Sequence, residues 1–198
     1  GAEGTLGFVT AATCKLFPEP RTVITAWLAV ATVSAAIAVY AAARGQLGDD
    51  LTAFEFANGL IIEFVLRNVP GSRSPLDADS PWHLLVEVST SRNDPGLESQ
   101  VQEFLVRMQD GGVVTAGVVA TSGPQRDALW RFRHSMSEAQ KKEGASIKHD
   151  VSVPVTSMDQ FLVQSTSSVG NLAPCVRVEA FGHLGDGSVG DQNGAPAR

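Results

Sequence analysis

Four stretches of this chain bring together side chains that can bind an anion, hold a metal or move a proton. Trp130, Arg133 and Ser137 are spaced by three and four residues, which on a helix puts them on one face. An arginine so placed can grip a carboxylate through two parallel N–H bonds. With Arg126, Arg131, Lys141 and Lys142 close by, a solvated arginine on an amphipathic helix is the competing reading. Lys148-His149-Asp150 opens a strand-like run, where alternation sends Lys148 and Asp150 to one face and His149 to the other, so the ammonium can meet an anion or join a surface salt bridge. Phe181-Gly182-His183-Leu184-Gly185-Asp186-Gly187 sets an imidazole between glycines just after a strand pattern. Such a tight turn can aim His183 at a metal or at a substrate proton, although a metal site needs three or four ligands. Gly1-Ala2-Glu3-Gly4-Thr5-Leu6-Gly7 precedes a strand-like run over 8–16; its glycines admit positive φ and the close approach of a ligand, and serve an ordinary turn equally well.

These residues need a scaffold, and hydrophobic periodicity supplies one. Strands are expected over 22–30, 82–89, 113–120, 146–153 and 175–181, with an alternating segment over 51–57. Helices are expected over 34–44, 60–68, 97–109, 125–142 and 158–165, and a Gly-, Ser- and Pro-rich loop over 70–81. Strand, helix, strand is the recurring rhythm. Alternating polarity in 82–89 and 149–153, and the lack of a clear glycine-rich phosphate loop between strand and helix, argue against a doubly wound parallel sheet. The expected fold is α+β: ferredoxin-like β-α-β repeats in a largely antiparallel sheet with one face covered by helices.

Composition agrees with a compact domain: 198 residues, 43% hydrophobic and 18% charged, are enough to bury a core. A net charge of −6 with scattered lysines and arginines excludes a phosphate-tracking nucleic-acid binder. The most apolar stretch, 23–43, is Ala-rich and carries Thr25, Thr32 and Ser34, so a strand followed by a helix is expected there in place of a membrane span. Two widely separated cysteines, Cys14 and Cys175, suit a reducing compartment, cytoplasmic or, in a eukaryote, mitochondrial. No signal peptide is visible, and the opening Gly1 reads as a cut from something larger.

Taken in order, the opening glycine motif with Phe8-Val9-Thr10, Leu129-Trp130-Arg131-Phe132-Arg133 with Ser137-Glu138-Ala139, Ser146-Ile147-Lys148-His149-Asp150-Val151-Ser152-Val153-Pro154, and Gly182-His183-Leu184-Gly185-Asp186-Gly187 resemble the FAD-linked oxidase family that contains D-lactate dehydrogenase and D-2-hydroxyglutarate dehydrogenase. The resemblance implies that 1–20 closes a flavin-binding domain, with Glu3, Gly4, Gly7 and Phe8 touching FAD. It implies that 21–189 is the substrate-side domain and that 190–198 departs from the family. Arg133, Ser137 and Lys148 are similar to positions that bind a substrate carboxylate, and His183 to a catalytic and metal-ligating histidine, usually for zinc. The implied reaction oxidises a small D-2-hydroxy acid to the 2-oxo acid, passing hydride to flavin and electrons on to an acceptor protein or carrier.

The pattern departs where the family continues to a second histidine, since Ser188, Val189 and Gly190 stand there. With one candidate ligand, zinc is not expected to bind tightly. Missing flavin-domain and C-terminal segments imply that the chain is inactive alone and self-associates through uncovered apolar surface; a truncated gene, a frameshift or trimming would each produce such ends. The alternative is a non-catalytic module of ferredoxin-like fold that binds small carboxylates through Arg133 and Lys148.

Overall fold

The computed structural model describes residues 5–77 and 79–194, and for 191–194 the backbone alone. Seven antiparallel strands form one sheet in the order β4-β1-β3-β2-β6-β7-β5. The strands are β1 (Thr22–Val30), β2 (Leu51–Asn58), β3 (Trp82–Thr90), β4 (Ala116–Val119), β5 (Ser146–Ser152), β6 (Arg177–His183) and β7 (Ser188–Gly194). The helices are α1 (Val33–Leu47), α2 (Gly59–Asn68), α3 (Leu97–Asp110), α4 (Gly123–His134), α5 (Met136–Ala139) and α6 (Met158–Leu172). The segment β4-β1-β3-β2 has the expected ferredoxin-like order: α1 links β1 to β2 while β3 inserts between them, and α3 links β3 to β4 across β1. Strands β6, β7 and β5 extend the sheet beyond β2.

Helices cover both faces of the sheet, which corrects the expectation of one. Ile24, Ala26, Leu28 and Val30 pack with Val39 of α1, Phe104 of α3 and Leu162 of α6. On the other face Trp27, Ala29 and Leu85 pack with Phe64 of α2, Leu129 and Phe132 of α4, and Met136 of α5. The seven consecutive residues from Ile24 to Val30 are accordingly buried whichever way they point. Burial of both faces turns the polar residues of the second face, Glu55 and His83, into interior groups that need partners.

Several boundaries moved for local reasons. The helix expected over 125–142 breaks at Ser135, whose hydroxyl donates to Arg131 O at 2.7 Å and competes with the helix ladder. Beyond it lie α5 and a 3-10 turn, Gln140–Lys142. Strand β4 is shorter than 113–120 because the N–H groups of Val113 and Val114 both turn back to Met108 O and close α3. Helix α6 runs on past 165 to Leu172. The run 8–16 forms no strand; residues 5–20 are exposed and irregular, with Phe8 97% exposed. Strand β7 continues through Gly194, so the departure in sequence after 189 leaves the strand ladder intact. Among the described residues no helix is long and apolar enough to cross a membrane. Cys14 and Cys175 are both free and exposed.

Candidate active site

The site grows from β2. Period-two alternation sends Phe54 and Phe56 to one face and Glu55 to the other, where β6 and α4 meet it. Glu55 is 5% exposed. Its Oε2 accepts from Arg133 Nε at 3.2 Å and Nη2 at 2.9 Å, and its Oε1 lies 2.6 Å from His183 Nδ1. A carboxylate oxygen accepts, so Nδ1 carries the proton and Nε2 is left as the nitrogen that can accept one. Arg133 is 9% exposed and its guanidinium also stacks over the Phe181 ring, 5.1 Å from its centroid. A guanidinium has five N–H groups, so Glu55 does not exhaust it.

Helix α4 is held in place to present Arg133. Ser122 caps its start by accepting from Gln125 N at 3.4 Å, and Pro124 sits in the first turn, where its missing N–H is harmless. The indole of Trp130 donates to Glu87 Oε2 at 2.7 Å, the same oxygen that accepts from the Thr25 hydroxyl at 2.8 Å. One face of α4 is thereby tied to both β1 and β3.

The glycine turn positions His183. Gly187 has φ +75°, and a Cβ there would come within 2.1 Å of Val153 O. Its N–H donates to Leu184 O at 3.2 Å and closes the 3-10 turn, while Asp186 Oδ1 accepts from Ser188 N at 2.9 Å. Burial tends to raise the Asp186 carboxyl, but that bond and the nearby His183 hold it below the usual carboxylate range. A Cβ on Gly182 would meet Ser188 O at 2.3 Å, so glycine there lets β6 and β7 approach next to the imidazole.

These elements enclose a cavity of about 920 Å³ lined by Arg133, Ser137, Lys148 and His183 together with Glu55 and Trp130. The four anion- and proton-handling residues expected from sequence therefore share one space, although the helix carrying Arg133 and Ser137 is broken between them. Glu55 is the member that sequence reasoning missed. Its signal was a lone carboxylate between two phenylalanines on a strand. Lys148 is exposed on β5.

Deeper along β6 the same face holds a second polar cluster. Glu143 accepts from Asn68 Nδ2 at 2.6 Å, Arg177 Nη1 at 2.9 Å and Arg67 Nη1 at 3.1 Å. Burial tends to raise its carboxyl, but these donors win and hold it low. Glu179, 2% exposed, is pushed up to about 7 because burial outweighs the pull of Arg177 and Lys148, and its Oε2 finds no partner among the described residues.

Of the residues expected to touch flavin, Glu3 and Gly4 lie outside the described residues. Gly7 has φ +151° with open space about it, and Phe8 is exposed. Zinc does not fit the residues present. Among the described residues no three His, Cys, Asp or Glu side chains come together as a metal site, and across β6 and β7 His183 faces Ser188 while Phe181 faces Gly190.

Residues 19–189 match the family model for FAD linked oxidases, C-terminal domain. The chain is 31% identical over 189 residues to a mitochondrial D-2-hydroxyglutarate dehydrogenase of Arabidopsis thaliana, covering 96% of this chain and 33% of that protein. It is 32% identical over 189 residues to the D-2-hydroxyglutarate dehydrogenase of Xanthomonas citri pv. viticola, covering 96% of this chain and 39% of the other. The chain thus spans about a third of the length of these relatives. In three dimensions it is similar to p-cresol methylhydroxylase with substrate bound, with a TM-score of 0.56 at 8% identity over 91% of this chain and 40% of that one. Alkyldihydroxyacetonephosphate synthase gives 0.56 at 9% identity, over 90% of this chain and 37% of the other. At such low identity these two likenesses concern the fold alone.

Proposed function

Because this chain belongs to the FAD-linked oxidase C-terminal domain family, we propose that it is the substrate-side part of a flavin-dependent D-2-hydroxy acid dehydrogenase, with D-2-hydroxyglutarate, the substrate in the names of its relatives, as the first candidate. The observation that carries the proposal is the convergence of Arg133, Ser137, Lys148 and His183 on one cavity.

In this reading Lys148, from the rim, attracts a carboxylate, and the donors of Arg133 not taken by Glu55 and the Ser137 hydroxyl orient it. Glu55 fixes the tautomer of His183, so that Nε2 can take the hydroxyl proton of the substrate. FAD, held by a flavin-binding part that these residues do not include, would supply the hydride acceptor when bound; Gly7 and Phe8, with Glu3 and Gly4, would border it. No step is assigned to zinc. Electrons would pass on to an acceptor protein or carrier, in the cytoplasm or, as the names of the plant and animal relatives suggest, the mitochondrion. Turnover requires the flavin-binding part to be supplied, so the isolated chain binds substrate without oxidising it.

Calorimetric titration of the chain with D-2-hydroxyglutarate and D-lactate tests this. Saturable binding that stabilises the fold by about 2.7 kcal/mol at a hundredfold excess over Kd is expected. Lys148→Ala should weaken it at least tenfold. Binding of equal strength in Lys148→Ala and wild type would remove the cavity from consideration.

A further inference from the structure

We propose that β5 is a self-complementary edge through which two copies of this chain pair, joining their sheets into one of fourteen strands. Strand β5 ends the sheet, and its inner edge is taken by β7 in register from Ser146↔Gly194 to Ser152↔Ser188. Among the described residues no strand pairs with its outer edge. Ile147 is 66% exposed, and Lys148, His149 and Asp150 are exposed with it. Such a row of open N–H and C=O groups is a template for another strand. The opposite edge of the sheet, β4, is only four residues long.

The order of residues along β5, Ser-Ile-Lys-His-Asp-Val-Ser, names the partner. It is symmetric in kind about His149, with serine at both ends, a β-branched aliphatic next, and opposite charges flanking the centre. An antiparallel pair with its two-fold axis at His149 sets Lys148 across from the second copy's Asp150, Ile147 across from its Val151, and Ser146 across from its Ser152. Residues directly opposite in an antiparallel pair lie on the same face and interact, so both ion pairs and both aliphatic pairs form at once. The neighbouring two-fold registers, centred on Lys148 or on Asp150, set like charges directly opposite and are disfavoured. Charge therefore selects the register as well as permitting the contact. Among the described residues Lys148 and Asp150 make no ion pair within the chain that this arrangement would have to break. The interface is isologous and consumes the β5 edge of both copies, so assembly stops at the dimer. It shares Lys148 with the cavity of the proposed function, but it does not rest on that reading, because it is measured with no ligand present.

Sedimentation velocity across the micromolar range tests the pairing. Wild type is expected to sediment as a dimer. Asp150→Lys gives two ammoniums on the edge and Lys148→Asp gives two carboxylates, so each variant alone is expected to be monomeric, with the far-UV circular dichroism of a folded chain because these positions are exposed, and with a thermal midpoint that no longer depends on protein concentration. An equimolar mixture of the two is expected to dimerise again, since the mixed pair alone is complementary. A wild type that stays monomeric, a dimer that survives both single changes, or a mixture that fails to recover it would overturn the proposal. Substrate binding by a monomeric wild type would leave the functional reading standing while this one fell.

Discussion

His183 Nδ1 and Glu55 Oε1 lie 2.6 Å apart, and the other oxygen of the same carboxylate takes two N–H bonds from Arg133. One buried group thus sets both the tautomer of the imidazole and the pose of the guanidinium, from a strand that carries neither. Orientation by an outer partner of this kind is what keeps a proton-transfer group aimed at its substrate.

Removing the carboxylate leaves Arg133 buried and unpaired. Glu55→Ala is expected to destabilise the chain by about 3–5 kcal/mol in urea unfolding. Replacing both members with methionine should recover most of that loss, since an apolar pair of similar volume needs no partner. In nitrogen-15 histidine spectra, the Nδ1-protonated form of His183 should dominate in wild type and lose its bias in Glu55→Gln. An unchanged tautomer ratio would show that Glu55 does not control the ring.

Glu179 sits in the interior with a carboxyl pushed up to about 7, against an ordinary value of 4.5, chiefly by burial. The folded chain therefore holds its proton where the unfolded chain has lost it. This contribution to stability is complete below about 4.5 and is lost as pH rises toward 7. Glu179→Gln should raise stability at about pH 8 by up to about 3 kcal/mol and change it little at about pH 4.5. Equal effects at both pH values would contradict the assignment.

His83 titrates in the opposite sense. It is buried, and its Nδ1 accepts from the Trp27 indole at 3.1 Å, which requires the neutral ring. Burial lowers its pKa from 6.5, against smaller opposing effects of Ser80 and Asp79. As pH falls below about 6.5 the unfolded chain protonates first, so stability present above that value declines in acid. His83→Gln, which can still accept from Trp27, should flatten this decline. Urea midpoints for variant and wild type at about pH 7.5 and 5.5 make the comparison.

The turn after β6 tolerates no side chain at Gly187. Gly187→Ala should lose about 1–2 kcal/mol to the positive φ alone, and more to the contact with Val153 O. Because that turn carries His183, thermal unfolding should fall together with the tautomer bias described above.

Much of this protein was legible along the chain. β-branched and apolar runs located β1, β3 and β5 to within two residues, since period two is a local property of the backbone. Arg133, Ser137, Lys148 and His183 stood out because each sits in a patterned motif. What lay beyond reach was which surfaces meet. Alternation separates Glu55 from Phe54 and Phe56, yet it cannot say that α4 and β6 will close over the face Glu55 occupies. The same limit hid the second helical layer, because a strand buried on both sides and one buried on a single side differ through their neighbours. Propensity and periodicity are decided within a few residues; partners 78 and 128 positions away, as Arg133 and His183 are from Glu55, are decided by the packing of the whole sheet.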